Sequence, residues 1–313
     1  MKILVTGGCG YKGSVLVPKL LAKGYEVIVV DIQWFGNSLT SHPNLTVIKG
    51  DIRFLQTEWL HKVNAIIHLA SVANDPCCEL DSKLSWEIGP LATLLLVEEA
   101  IKQGVTQFIY ASSGSVYGVN DQPQVTENLP LKPISDYNKT KMVSERVLLS
   151  YQDKILIQII RPATVCGYSP RMRFDVSVNM MTMQALTHGL MTVFGGDQVR
   201  PNIHIEDITD LYVFLLEQKE KIQGVYNAGF ENLSILNIAH QVKNILPDVD
   251  IKVTPSNDPR SYRLNSDKLL KTGYAPNRTV NNAISELIQL HKKGILHDSP
   301  LFHNLATMKE LAI

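Results

Sequence analysis

The sequence predicts an α/β protein: a doubly wound parallel sheet with a smaller mixed C-terminal lobe. Three observations lead there. Short β-branched runs alternate with helix-like stretches through the first half of the chain, as strands joined by crossover helices do. Two of those runs, Val27–Val30 and Ile155–Ile160, are apolar on both strand faces, which a sheet covered by helices on both sides requires. A glycine-rich turn joins the first run to the first helix, and folds of this class hold phosphate groups at that place.

In chain order, strands are expected at Ile3–Thr6, Glu26–Asp31, Leu45–Lys49, Ala65–Leu69, Gln107–Ala111 and Ile155–Ile160, with helices over Lys12–Lys23, Leu84–Lys102 and Asp136–Gln152. After about Arg161 the texture changes, because prolines from Pro162 to Pro276 break the chain into short pieces. Helical stretches persist at Val176–Leu186, Ile205–Glu217, Ile235–Leu246 and Val280–Lys292, and Ser234 is a good N-cap for the third. The expected division is a dinucleotide-binding domain over 1–165, to which the chain returns around 205–230, and a discontinuous substrate-binding lobe over 166–313. The tail from Ile295 carries Leu301, Leu305, Met308 and Ala312 near helical spacing, so it is expected to pack on the body of its own chain.

Composition narrows the function classes. The 313 residues hold 30 Lys+Arg against 30 Asp+Glu, a formal net charge of zero. Such a chain lacks the broad positive field that nucleic acid or an anionic membrane surface would need, while a few local arginines can still hold an anionic small molecule. No stretch approaches the ~18 consecutive apolar residues of a membrane span, and the N-terminus enters the glycine turn without the apolar core of a signal peptide. Cys9, Cys77, Cys78 and Cys166 form neither a disulfide framework nor a metal-ligand spacing. The chain therefore reads as cytoplasmic, reduced and metal-free, with inert thiols.

The turn Thr6-Gly7-Gly8-Cys9-Gly10-Tyr11-Lys12-Gly13 follows the first strand directly. Glycines 7, 10 and 13 let the backbone turn tightly, approach a pyrophosphate and pack the helix on the sheet, while the helix N-terminus faces the negative charge. Tyr11 and Lys12 belong to that contact. Asp31 ends the second strand, where a carboxylate accepts from both adenosine ribose hydroxyls and repels a 2′-phosphate, so NAD is expected rather than NADP. Tyr137 and Lys141 stand at i and i+4 on one helix face. Chance also supplies that spacing. Its weight comes from the polar run Ser112-Ser113-Gly114-Ser115, which lies at the C-terminal end of the strand before it, where open α/β sheets bind ligands. A neighbouring ammonium and an oxidised nicotinamide would both favour the phenolate, making Tyr137 a general base.

Together these residues resemble the extended short-chain dehydrogenase/reductases, specifically the nucleotide-sugar epimerase/dehydratase group. The resemblance covers the chain to about Lys293 and rests on Thr6–Gly13, Asp31, Gly50-Asp51-Ile52-Arg53, His68-Leu69-Ala70, Ser112–Gly118, Tyr137–Lys141, Arg161-Pro162 and the run from Arg200 to Asp207. It implies a Rossmann domain in which Asp51 and Ile52 bracket the adenine and Leu69, Ala70 and Ser71 pass beneath the dinucleotide. Ser113 takes the catalytic Ser/Thr position and Lys141 holds the nicotinamide ribose. Arg200 and Arg260 grip the diphosphate of a nucleotide sugar, where a guanidinium fork suits phosphate oxygens. Arg171, Arg173 and Asn179 are further candidate substrate contacts.

The implied reaction removes the proton of a sugar C4 hydroxyl with Tyr137 while hydride passes to NAD, and Ser113 bonds the same oxygen. An epimerase then turns the keto-sugar over and returns the hydride. Dehydratases of the group carry Asp-Glu after the catalytic Thr and the related decarboxylase carries a Glu there; here Gly114 and Ser115 follow Ser113, so both reactions are disfavoured. The chain departs from the family pattern at Gly89, where Asn is usual, at Thr164 and Cys166, where Asn and Tyr are usual, and at Pro201-Asn202, where Asp-Phe is usual. The stretches Ser169–Arg173 and Arg260–Arg263 look more like a bacterial subgroup containing GDP-heptose 4-dehydrogenases. The leading expectation is a nucleotide-sugar 4-epimerase; the alternatives are a net 4-dehydrogenase or 4-ketoreductase on a GDP-heptose or deoxysugar, and a non-catalytic NAD-binding sensor. The family commonly forms homodimers through two helices per subunit, here Leu84–Lys102 and Asp136–Gln152.

Overall fold

The computed structural model describes residues 1–120, 122–218, 222–256 and 261–313. Its frame is a seven-stranded sheet, all neighbours parallel. In chain order the strands are β1 (Lys2–Thr6), β2 (Glu26–Asp31), β3 (Leu45–Lys49), β4 (Ala65–His68), β5 (Gln107–Ala111), β6 (Leu156–Pro162) and, much later, β10 (Gly224–Ala228). In space they run β10-β6-β5-β4-β1-β2-β3. Strand order reverses at β1, which places a crevice beyond the C-terminal ends of β1 and β4. The doubly wound class read from the sequence is the one observed.

Residue alternation along the strands decides which side chain faces which layer. Ile3, Val5, Val27, Val29, Ile67 and Ile109 point to one face, where helices α1 (Gly13–Ala22) and α7 (Ile205–Glu217) cover them. Leu4, Ile28, Val30, Ile66, Phe108 and Ile157 point to the other, packed by α4 (Ala92–Lys102) and α5 (Asp136–Leu149). Each fully buried Leu, Ile or Val contributes about 1.5–3 kcal/mol. The short helices α2 (Asp75–Cys78) and α3 (Ser82–Trp86) precede α4.

The single helix expected over Leu84–Lys102 is interrupted. A π-helical turn, Glu87–Leu91, separates α3 from α4 and contains Pro90, which has no N–H for the regular ladder and forces the wider turn. At Gly89 a Cβ would stand 3.1 Å from Cβ of Thr140 on α5, so a glycine there lets the two segments approach.

The lobe has its own core. β7 (Thr164–Cys166), β9 (Val199–His204) and β11 (Glu231–Ser234) make a small mixed sheet, and β8 (Leu190–Phe194) pairs in parallel with β12 (Asp250–Thr254). Helices α6 (Ser177–His188), α8 (Ile235–Ile245) and α10 (Val280–Lys292) pack there around Met181, Val193, Ile238 and Ile284. Ser234 caps α8 by accepting from the Asn237 N–H, as its position foretold. A short helix α9 (Asp267–Leu270) lies against β10. The tail ends in α11 (Asn304–Glu310), with Met308 buried in the core shared with α4, while Leu301 stays exposed. No helix of the described residues is long and apolar enough to cross a membrane.

Candidate active site

A single cleft spans the C-terminal ends of the central strands. Its floor is the glycine turn after β1, its sides are Asp31 at the end of β2 and Ala70 after β4, and its far wall comes from the lobe through Val165, Arg173 and Tyr262. The turn needs its glycines. Gly7 has φ +70°, and a Cβ on it would lie 2.7 Å from the Ala70 nitrogen; one on Gly13 would lie 2.3 Å from the Gly8 oxygen. Tyr11 fastens the turn to the lobe by donating its hydroxyl hydrogen to Gly167 O at 2.7 Å and accepting from Asn179 Nδ2 at 3.0 Å.

These features fit a dinucleotide. The N-terminus of α1 faces the cleft through Lys12 and Gly13, which line it, while the next two N–H groups, of Ser14 and Val15, are taken by Gly10 O and Lys12 O. Asp31 accepts Cys9 N–H at 2.9 Å on one oxygen and Gln33 N–H at 2.7 Å on the other, so both oxygens are aimed and each keeps a lone pair for a ribose hydroxyl. Burial raises the Asp31 pKa against those two N–H bonds and the charge of Arg171. Asp51 caps the 3₁₀ turn Ile52–Phe54 and holds Arg53 at 2.7 Å, which reaches on to Glu87 at 2.8 Å. Asp51 and Ile52 both line the cleft, as do Leu69, Ala70 and Ser71.

The other half of the cleft holds the proton chemistry. Ser113 precedes a 3₁₀ turn, Gly114–Tyr117, and its Oγ lies 2.7 Å from Ser115 Oγ, which donates to Asn138 Oδ1 at 2.5 Å. Ser113 and the Tyr137 phenol both line the cleft. Burial pushes the Tyr137 pKa up to about 12, opposed by the neighbouring Ser113 hydroxyl and by the charge of Arg173. Lys141 sits one helical turn on, donating to Ala111 O at 2.8 Å, with its ammonium 5.0 Å from the centre of the Tyr110 ring and 5.9 Å from that of Tyr137. Burial lowers its pKa to about 8, against the influence of Cys78 and Glu145. Arg173 thus adds a second positive charge that favours the Tyr137 phenolate, beside the Lys141 ammonium to which the sequence pattern pointed. Arg173 is itself paired with Asp175 at 2.8 Å.

Not every expected residue meets at the cleft. Asn179 is fully buried and its amide is occupied by Tyr11, Gly167 N and Arg173 O, so it braces the walls from behind. Arg200, on β9, does not line the cleft among the described residues. Arg260 lies outside the described residues. Arg171 does line the cleft, yet it stacks on Phe35 beyond Asp31, at the end away from Tyr137. Sequence reasoning passed over Phe35, Asp75 and Asn304, all in the lining, and Glu145, whose only signal was its place one turn after Lys141. It also missed that Thr6, His68 and Thr93 form a hydrogen-bonded chain behind the turn, at 2.6 and 3.1 Å, in which burial lowers the His68 pKa to about 3 and keeps the ring neutral.

A parallel dinucleotide sheet with Ser113 and Tyr137 in the cleft at its glycine turn, and Lys141 buried one helical turn beyond Tyr137, is the arrangement of the extended short-chain dehydrogenase/reductase fold. The model of the NAD dependent epimerase/dehydratase family matches residues 3–229, and the chain belongs to that family. It is 28% identical to the UDP-glucose 4-epimerase of Lactobacillus helveticus, over 93% of this chain and 97% of that one. Among solved structures, the UDP-glucose 4-epimerase of Thermotoga maritima superposes with a TM-score of 0.85 at 26% identity, covering 95% of this chain and 100% of that one. The UDP-glucuronic acid 4-epimerase of Bacillus cereus, solved with UDP-glucuronic acid and NAD, gives 0.82 at 27% identity, over 94% and 99%. The protein is an enzyme of the nucleotide-sugar epimerase/dehydratase group, and its cofactor is NAD.

Proposed function

We propose that the chain is a nucleotide-sugar 4-epimerase. The observation that carries this reading is that Ser113 and the Tyr137 phenol open together into the cleft, with Ser113 followed in the chain by Gly114 and Ser115 where dehydration or decarboxylation would need carboxylates. NAD, when bound, supplies a hydride acceptor that can also give the hydride back.

Tyr137 takes the proton of the sugar C4 hydroxyl, and Ser113 donates a hydrogen bond to the same oxygen as charge builds on it. Burial keeps the Tyr137 phenol protonated in the chain alone, and each positive charge brought beside it, beginning with Arg173, lowers the cost of the phenolate. Lys141 keeps further N–H groups beyond its bond to Ala111 O for a ribose hydroxyl. After the keto-sugar turns over, Tyr137 returns the proton to the new alcohol. Arg173, held in place by Asp175, faces the sugar end and favours an anionic substrate there.

The test is a panel of UDP-, GDP-, dTDP- and CDP-sugars, with the products analysed by NMR and the reduced cofactor followed by absorbance. A C4 epimer formed without accumulating reduced cofactor is the expected result; a keto-sugar formed with stoichiometric reduced cofactor would assign net dehydrogenation instead. Tyr137→Phe should lower turnover by roughly 10²–10⁴-fold while NAD still binds. Near-normal turnover in that variant removes Tyr137 from the base role.

A further inference from the structure

The lobe reaches across the cleft at one point on the adenosine side. Arg171, only 4% exposed, places its guanidinium carbon 4.0 Å from the centre of the Phe35 ring. Phe35 belongs to the segment that follows Asp31 out of β2. Arg171 Nη2 donates to Asn304 Oδ1 at 2.6 Å and Nη1 donates to Met172 O at 3.2 Å. Its Nε is buried and has no hydrogen-bond partner. Arg171 and Asn304 line the cleft together with Asp31, whose charge acts on the guanidinium, and Nη1 and Nη2 each keep a second N–H beyond the bonds above.

Asn304 is the first residue of α11, and the tail around it is anchored at two places. Phe302 O accepts the Phe174 N–H at 2.9 Å, and the two rings meet edge-on at 5.7 Å on the lobe side. Met308 is buried with Cys77 and Cys78 of α2 on the sheet side. The tail thus spans both halves of the molecule and holds Arg171 between them.

We propose that Arg171 and Asn304 form a strap over the adenosine–pyrophosphate half of bound NAD, so that the cofactor stays in place while hydride leaves and returns. Arg171 is then a cofactor contact contributed by the lobe, in place of the sugar-nucleotide contact that its neighbourhood in the sequence suggests. A remaining Nη N–H of Arg171 meets a phosphate or ribose oxygen, Phe35 fixes the plane of the guanidinium, and Asn304 acts through Arg171 as a positioning residue. The retention role rests on the epimerase reading, since a net dehydrogenase must exchange its cofactor every turnover. Binding of NAD by these residues does not depend on it.

The test uses the full chain loaded with NAD and no sugar, and measures the dissociation rate of the cofactor by fluorescence after dilution into a trap. Arg171→Met keeps an unbranched apolar stem and removes the donors; Asn304→Ala removes only the brace. Arg171→Met should speed dissociation roughly ten-fold or more, as expected for losing a charge-assisted hydrogen bond. Asn304→Ala should speed it less, and the double variant should be no faster than Arg171→Met alone, because the two act on one contact. Unchanged NAD dissociation in Arg171→Met overturns the proposal, and a raised KM for the sugar nucleotide in the same variant would return Arg171 to the substrate. If Arg171→Met does not fold, an Asn304→Ala dissociation rate equal to that of the wild type overturns it equally. Because no sugar is present, either outcome is independent of the reaction assigned.

Discussion

Lys12 shows how one side chain in the glycine turn sets both a cost and a use. It lines the cleft with no ion pair among the described residues, and burial, then the charges of Lys141 and Arg173, lower its pKa from 10.5 to about 7. The unfolded chain keeps a proton that the folded chain releases, so stability rises with pH from about 7 toward 10.5. Lys141, lowered to about 8, adds the same sign from there upward. The buried thiols act in the opposite sense once pH nears their ordinary value of 9.0, because burial raises Cys77 and Cys78 to about 11. The lysines are therefore seen cleanly only below about pH 9. Lys12→Met should stabilise the NAD-free chain by about 1–3 kcal/mol at pH 7 and flatten the rise of stability toward pH 8.5, as read by urea unfolding across that range. An unchanged slope would show that Lys12 is not the group that titrates in this range. The same variant should bind NAD more weakly, as expected where a pyrophosphate on the glycine turn would compensate the ammonium.

At the scale of elements, the catalytic helix is held by a buried charge network. Glu145 on α5 takes two bonds from Arg161 of β6, at 2.9 and 2.6 Å, and one from Ser112 Oγ at 2.5 Å. Arg161 also donates to Tyr117 OH at 2.7 Å, and that hydroxyl donates to Asn227 of β10 at 2.8 Å. The Glu145 and Arg161 side chains are 1% and 5% exposed, so neither charge can turn to water when its partner is lost. Glu145→Gln should cost about 3–5 kcal/mol, whereas breaking the exposed Lys139–Asp136 pair on the same helix should cost no more than about 1 kcal/mol. Chemical denaturation of the two variants decides it, and equal losses would show that the network is not what fixes α5. How legible such elements were depended on how local their cause was. Strands β1 to β5 could be read because each is an apolar run ending in a polar or glycine turn, and the glycine loop because its parts are adjacent in the chain. β7, β9 and β11 pair across long stretches punctuated by prolines, so no local period marked them. The Glu145–Arg161 pairing and the position of Arg171 against Phe35 likewise arise only when distant segments meet.

For the molecule as a whole, the cleft is the place where three hydrophobic cores come together. The sheet carries two cores, one on each face, and the lobe has a third, built around Val193, Ile238 and Ile284 and centred on α6, α8 and α10. The cleft between them is walled by the ends of the sheet strands, by Val165, Arg171 and Arg173 of the lobe and by Asn304 of the tail. A ligand that binds only the folded chain stabilises it by RT ln(1 + [L]/Kd), about 2.7 kcal/mol at a hundred-fold excess over Kd. Local openings that break the cleft are suppressed by the same factor, and openings that leave it intact are not. Hydrogen exchange should therefore slow on NAD addition at the turn after β1, at residues 171–176 and at 302–308 together. The β8–β12 pair, which contributes nothing to the cleft lining among the described residues, should exchange at its former rate. Protection confined to the glycine turn, with the lobe and tail unaffected, would mean that NAD binds the sheet alone and leaves the lobe free to move for the sugar.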